Sequence, residues 1–468
     1  MEAIKKNRVD VDMTEGGIAG HLIRFALPLL AGNLFQMLYN LVDTWVVGNY
    51  VSDTAFSAVG TLSPVTNLMI GFFMGLSSGA GVIISRYFGA GRQSDVKRTV
   101  GTALVMTAAL AVLFTVVGVL CVPLFLELLN MPKTVRTEAA TYLTIWFSGI
   151  SGLMIYNIGA GIMRAVGDSR SPFIFLVVCA GVNTVLDLLF VPVFGMGVEG
   201  VALATVIAQG VSAVLVIILL LTTKSCVRVN IRRISFDFSI LWDIVVIGFP
   251  AALQMTITSF SNIFVQSYIN HFGDACMGGW SAYTKIDPIV LLPMQSLALA
   301  STTFVGQNLG KGRIERAKKG ISTALLMSLC STAVLILPVV IFSGFFVEIF
   351  NDNPEIVDYG VLFLRYLTPF YLCVCFNQIY AGALRGSGNT TAPMVIMLAS
   401  FVGFRQLYLF VVTSFISNTI LPVAMSFPAG WLLATVLTLI YYKITGLSRG
   451  RFSGSAVVQE EENVIHKR

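Results

Sequence analysis

About twelve apolar runs, each near 20 residues or longer, follow one another along this 468-residue chain, separated by short polar breaks. Wound as an α-helix, such a run crosses a hydrocarbon core of roughly 30 Å. With 56% hydrophobic and 12% charged residues and a mean hydropathy of +0.82, polar groups could not cover a soluble fold of this size, so the chain belongs in lipid. In lipid every backbone polar group must be satisfied within the protein, and these runs are therefore expected to be helices. The expected spans are 20–47, 54–84, 96–122, 134–158, 172–192 and 198–222, then 238–270, 276–304, 318–344, 355–381, 392–415 and 421–443.

Basic residues alternate across these spans. Lys5, Lys6, Arg8 and Arg24 lie near the first span, Arg86, Arg92, Lys97 and Arg98 near the second, and Arg164 and Arg170 after the fourth. Lys224, Arg228, Arg232 and Arg233 join the halves, Lys311, Arg313, Arg316, Lys318 and Lys319 follow the eighth span, and Arg385 follows the tenth. The opposite loops hold only Lys133 and Arg136. The positive-inside rule predicts cytoplasmic termini and a cytoplasmic middle linker, with basic segments facing anionic head groups. The net charge of +6 then reflects membrane topology, not a nucleic-acid surface. The first apolar span is too long for a signal-peptide core, so no cleaved leader is expected.

Residues 160–172, AGIMRAVGDSRSP, recur as residues 381–393, AGALRGSGNTTAP, at an offset of 221. At the same offset Gly89, Gly91, Arg92, Lys97 and Arg98 return as Gly310, Gly312, Arg313, Lys318 and Lys319. Four prolines read as helix starts also pair, Pro28 with Pro250 at 222 and Pro64 with Pro288 at 224. The chain is an internal duplication, a construction common in transporters. Its seven cysteines and three histidines are scattered without ligand spacing, which excludes a zinc framework and leaves the cysteines as small apolar residues.

Acids within membrane helices are costly and become functional candidates by default. In the first span Asn33, Gln36, Asn40 and Asp43 fall at steps of three, four and three, on one helical face. In the fifth, Asn183 and Asp187 are four apart and share a face, with Thr184 beside them. Thr205 and Gln209 form another polar pair in the sixth, and Tyr142 offers a phenol from the fourth. Such a set could hold a cation: oxygen ligands for sodium, or paired acids whose proton affinity rises with burial. Other roles for these groups are capping at the outer interface, or hydrogen bonding between helices. The second half loses both acids, since Asp43 aligns with Val265, Asn40 with Asn262, Asp187 with Tyr408 and Asn183 with Phe404. It keeps Gln254, Thr258, Ser261 and Asn262 on one face, and places Lys285, Asp287, Arg365 and Arg405 in its spans. An Asp287–Arg405 ion pair is one reading of these charges, and a substrate or second ion site the other.

The duplication, the acid in NLVDTWVVG, the N-x-x-x-D of NTVLD and the two repeated loop motifs together resemble the multidrug and toxic compound extrusion (MATE) family over nearly the whole chain. The resemblance implies an all-α integral membrane protein, with about twelve transmembrane helices in two pseudo-symmetric six-helix bundles around a central cavity. The expected divisions are a cytoplasmic segment 1–19, a first lobe 20–222, a linker 223–237, a second lobe 238–445 and a cytoplasmic tail 446–468. The implied activity is antiport in the inner membrane: H⁺ or Na⁺ enters as amphipathic, cationic or aromatic compounds leave. Matching residues point to the DinF-like branch, with a cation site of Asp43, Asn183, Asp187, Thr205 and Tyr142. The NorM-like branch has acids where this chain has Thr258 and the apolar stretch around Val374. No cofactor and no enzymatic activity are expected, and the working unit is taken as a monomer in the bilayer. The alternative is a lipid-linked saccharide flippase of the same superfamily, for which Lys285, Arg365 and Arg405 would supply basic groups.

Overall fold

The computed structural model describes residues 10–51, 53–129, 131–417 and 419–447; the side chains at 43, 44, 47, 53–59, 63, 64, 257–260 and 263 lie outside that description. The described chain is helical throughout. Eleven of its helices or helix runs are long and apolar enough to cross a membrane singly, and a pair bent by 46° supplies a further span. The helices are α1 (Ile18–Tyr50), α2 (Asp53–Gly89), α3 (Gln93–Leu120), α4 (Val122–Leu128), the bent pair α5 (Lys133–Ser148) and α6 (Ile150–Ala165), α7 (Arg170–Phe190) and α8 (Val198–Thr222). They continue as α9 (Phe238–Asn270), α10 (Asp274–Gly310), α11 (Ile314–Ile341), α12 (Ser343–Glu348), α13 (Pro354–Leu367) and α14 (Tyr371–Gly386). A span of α15 (Thr391–Met397) and α16 (Arg405–Val411), with π-helical turns at Leu398–Phe404 and Val412–Ile416, is followed by α17 (Ile420–Ala424) and α18 (Ser426–Thr445).

By contacts the chain forms two compact units, one of residues 1–12 and 27–252 and the other of residues 13–26 and 253–468. Pro28 and Pro250 are not helix starts. They lie inside α1 and α9, which begin at Ile18 and Phe238, as Pro288 lies inside α10, and the unit boundaries at 26/27 and 252/253 fall beside Pro28 and Pro250. A proline inside a helix removes one backbone hydrogen bond, so the chain changes unit where the helix is weakest.

The repeated motifs are helix-stopping chemistry. Gly167 (φ +87°) and Gly388 (φ +88°) are left-handed; in each copy this glycine's N–H and the next one reach back into the preceding helix. The bonds are Gly167 to Arg164 O at 3.0 Å and Asp168 to Met163 O at 3.0 Å, matched by Gly388 to Arg385 O at 2.8 Å and Asn389 to Leu384 O at 2.9 Å. Both copies are Schellman closures, and the Gly91 and Gly312 loops repeat the pattern. The next helix is then capped by Asp168, whose Oδ1 accepts from the N–H groups of Arg170 and Ser171 at 3.0 Å, and by Asn389, whose Oδ1 accepts from Ala392 N–H at 3.2 Å.

Within the first unit a Cβ on Gly161 would fall 2.2 Å from Ser77 Oγ, and within the second one on Gly382 would fall 2.5 Å from Ala298 O. These glycines let α6 approach α2 and α14 approach α10, so the duplication is written into helix packing. Gly149 permits the α5–α6 bend and the approach of α8, because a Cβ there would overlap Val206. In the second unit the residues before α1 are seated on the loop between α10 and α11. Buried Met13 donates its N–H to Gln307 Oε1 at 2.9 Å, Arg313 reaches Thr14 O at 2.6 Å, and Arg316 reaches Gly16 O at 2.8 Å. These arginines, expected at head groups, spend donors on the chain itself.

Gly382→Ala should lower the melting temperature of the detergent-purified protein, since overpacking costs about 1–3 kcal/mol. Gly181→Ala, with nothing within 4 Å of the new methyl, should leave it within a degree or two. Equal melting of the two variants would contradict this account of the repeat.

Candidate functional site

Three helices of the first unit carry the polar set, with α8 packing against both α5 and α7. Asp187 is fully buried at 0% exposure, and Asn183, Thr205 and Tyr142 are buried on α7, α8 and α5. Neither Asn183 Oδ1 nor its Nδ2 has a hydrogen-bond partner among the described residues, and the same holds for Thr205 Oγ1. An amide and a hydroxyl in that state each cost about 1–3 kcal/mol, which a bound ligand would recover.

An apolar cluster fixes the geometry around them. Val46, Val191 and Val201 pack together, fully buried. They lie one turn from Asp43 on α1, from Asp187 on α7 and from Thr205 on α8, in the senses that the chain directions require. The valine contact therefore brings the turns bearing Asp187 and Thr205 to the same level of α7 and α8, beside α1. Nearer its start, α1 also meets α7, with the Phe35 and Phe173 rings 6.0 Å apart. The Asp43 side chain itself lies outside the described residues. Asn33 and Gln36 are half-buried, Asn40 is exposed, and Gln209 is half-buried on α8.

The aligned positions of the second unit are filled differently. Val265 is fully buried in an apolar core together with Phe363, which stands at the duplicate position of Tyr142. Phe404 and Tyr408, the counterparts of Asn183 and Asp187, are ring neighbours at 6.4 Å.

The remaining polar candidates of the second unit form separate groups. Asp287 accepts hydrogen bonds from Tyr371 and, at 3.4 Å, from Tyr283, and the two phenol oxygens are 2.7 Å apart. Tyr283, one helical turn from Asp287, was legible in the sequence; Tyr371, on another helix, was not. Lys285 is exposed and lies 5.2 Å from the Phe350 ring. Arg365 donates to Ser343 Oγ at 3.0 Å. Arg405 does not pair with Asp287: its Nη2 donates to Ser261 Oγ at 2.5 Å and to Asn262 Oδ1 at 2.9 Å. Gln254 is buried on α9, and the Thr258 side chain lies outside the described residues.

A duplicated helical membrane protein with buried polar groups on facing helices is a transporter by class. The MatE family profile matches residues 28–189 and again 250–411, and the chain belongs to this family of multidrug efflux transporters. It is 28% identical over 391 residues to the probable multidrug resistance protein YpnP of Bacillus subtilis, covering 83% of this chain and 87% of that protein. It is 25% identical over 391 residues to the FAD transporter of Shewanella oneidensis, covering 81% and 85%. Its fold superposes on that of a MOP superfamily transporter from Pyrococcus furiosus with a TM-score of 0.88, 21% identity and coverage of 96% and 100%.

Removing the shared phenol tests the tyrosine cluster. Tyr371→Phe should destabilise the protein by about 1–3 kcal/mol, because Asp287 keeps only its longer bond. Asp287→Asn, which keeps an acceptor and sheds the charge, should cost less. Thermal unfolding in detergent should rank the two in that order, and the opposite ranking would remove the proposed dependence of Asp287 on Tyr371.

Proposed function

We propose that the chain is a secondary antiporter that exports small amphipathic molecules in exchange for H⁺ or Na⁺, with the ion bound in the first lobe by Asp43, Asn183, Asp187 and Thr205 near Tyr142. The observation that carries this reading is the buried amide and hydroxyl of Asn183 and Thr205, without hydrogen-bond partners among the described residues, Thr205 one turn and Asn183 about two turns from the valine cluster that joins their helices to α1. Sodium would take the Asn183 and Thr205 oxygens with a carboxylate; a proton would sit on a carboxyl group whose burial disfavours the charged form. Coupling requires that the ion bind two conformations with different affinity, and filling this site supplies such a difference.

The DinF-like assignment rests on the same contrast between halves: acid, amide and phenol in the first, Val265, Phe404, Tyr408 and Phe363 in the second. We take the lobes as 20–222 and 238–445 around linker 223–237, both termini as cytoplasmic, and a monomer as the working unit. The linker is not slack. Asp237 donates its N–H to Thr102 Oγ1 at 3.1 Å, and Ser235 O lies so close to Gly101 that a Cβ there would be 2.7 Å away. The relatives' names range from multidrug resistance proteins to a transporter of FAD, so the cargo is defined by amphipathic character and not by one charge. Against a pyrophosphate-binding flippase stands the separation of Lys285, Arg365 and Arg405 among three unrelated sets of partners.

Reconstitution in proteoliposomes tests the ion site. Efflux of ethidium driven separately by a proton and by a sodium gradient should respond to one of them. Asp187→Asn should reduce that flux at least about tenfold, the loss of a charge-assisted interaction. Thr205→Val, nearly isosteric, should weaken the apparent ion affinity several-fold while leaving the melting temperature unchanged or higher, since its hydroxyl makes no hydrogen bond in the described structure. Gradient-driven flux at wild-type level in both variants would falsify the assignment.

A further inference from the structure

Arg405 is a buried charge without a counter-ion among the described residues. It is 2% exposed and lies about midway along the 391–416 span. Its described partners are neutral: Ser261 and Asn262 accept from Nη2, and the Phe427 and Phe401 ring centroids lie 4.8 and 5.6 Å from its guanidinium carbon. Ser261 in turn donates to the Phe401 carbonyl at 2.5 Å, so that hydroxyl is fully employed. Among the described residues the buried Nε–H has no acceptor, and no acidic side chain lies within ion-pair distance of the guanidinium.

A lone cation at this depth costs several kcal/mol, of which a ring face in a desolvated site returns about 2 or more, while the polar N–H groups still need acceptors. A purely structural role would be served as well by a neutral side chain. The backbone is irregular here as well: π-helical turns at 398–404 and 412–416 bracket α16, a feature concentrated at functional sites. Asn262, which shares Nη2, is exposed and gives the group an accessible side. The Phe427 ring lies tilted against Trp280 at 5.2 Å, and Trp280 against Tyr283 at 4.8 Å, so aromatic rings connect the arginine with the Asp287 cluster.

We propose that Arg405 is the anion anchor of the substrate site, so that this transporter takes aromatic cargo bearing a carboxylate, phosphate or sulfonate. The anion accepts from the unspent guanidinium N–H, and the ring lies against the aromatic faces that begin at Phe427. The depth of Arg405 favours a cargo over a lipid head group, whose phosphate stays at the interface. The proposal names the substrate class of the antiporter reading above and rests on it. It also departs from the expectation that cationic compounds are preferred.

The test is equilibrium binding to the purified full chain in nanodiscs, with no ion gradient, using 1-naphthyl phosphate, 1-naphthol and 1-naphthylmethylammonium, which share a ring and differ in charge. Wild type should bind the phosphate at least about tenfold more tightly than the alcohol, as charge-assisted bonds require. Arg405→Gln should erase that preference without weakening the alcohol or the ammonium. Arg405→Lys should retain part of it, since an ammonium cannot form the guanidinium fork. Wild type without an anion preference, Arg405→Gln with the preference intact, or equal loss of all three probes in Arg405→Gln would each overturn the proposal. Failure of the antiporter reading would appear instead in gradient-driven flux by Asp187→Asn, which this measurement does not use.

Discussion

Hydrocarbon gives an ionised side chain nothing to bond with, and that single cost organises this protein. Where packing alone is needed, the chain uses glycine, alanine and valine: Gly161 over Ser77, Gly382 over Ala298, and the buried seal of Val46, Val191 and Val201. Where a titratable or charged group is carried into the spans, the surroundings are specific. Asp187 is fully enclosed beside amide and hydroxyl groups, Asp287 is held by two phenols, and Arg405 has only dipoles and rings among the described residues. Each such group forgoes hydration worth several kcal/mol, so its retention calls for a compensating ligand, a permanent partner, or both.

Duplication separates scaffold from chemistry. Whatever recurs at the offset of 221 is backbone work: the left-handed glycines at 91 and 312 and at 167 and 388, the Asp168 and Asn389 caps, and the glycines that bring helices together. Whatever fails to recur is candidate chemistry. Asp43 gives way to Val265 and Tyr142 to Phe363, both in the second unit's apolar core, while Thr184 gives way to Arg405. One fold was copied and its two interiors then diverged, the first toward acids and amides, the second toward aromatics and an arginine.

Much of this was legible in the sequence because membrane helices announce themselves by length and composition. The expected spans 198–222 and 238–270 coincide with α8 and α9. Periodicity also grouped Asn183 with Asp187 correctly, since residues four apart must share a face. What stayed hidden depends on contacts between helices distant in sequence. The partners of Arg405, 143 and 144 positions away, leave no local signal, and a pairing with Asp287 was equally open to the sequence. Pro28 and Pro250 were misread because proline is common at helix starts, whereas in spans this long it can sit inside, where neighbouring groups in the bundle re-satisfy the freed carbonyl.

The two interiors also bear on how one protein can couple unlike cargoes. An ion that must be bound and released on every cycle needs a small site whose occupancy alters helix packing, and the proposed cation site beside the buried valine contact has that character. A cargo defined only by an aromatic body and a charge needs the reverse: ring faces that tolerate many shapes and one fixed group that orients them. The second unit has that composition, with Trp280, Phe427, Trp431 and Tyr371 in a chain of ring contacts and the Arg405 guanidinium against Phe427. Placing the two requirements in different halves of a duplicated chain frees each from the other's constraints, because a carboxylate that binds a cation would repel an anionic cargo sharing its pocket.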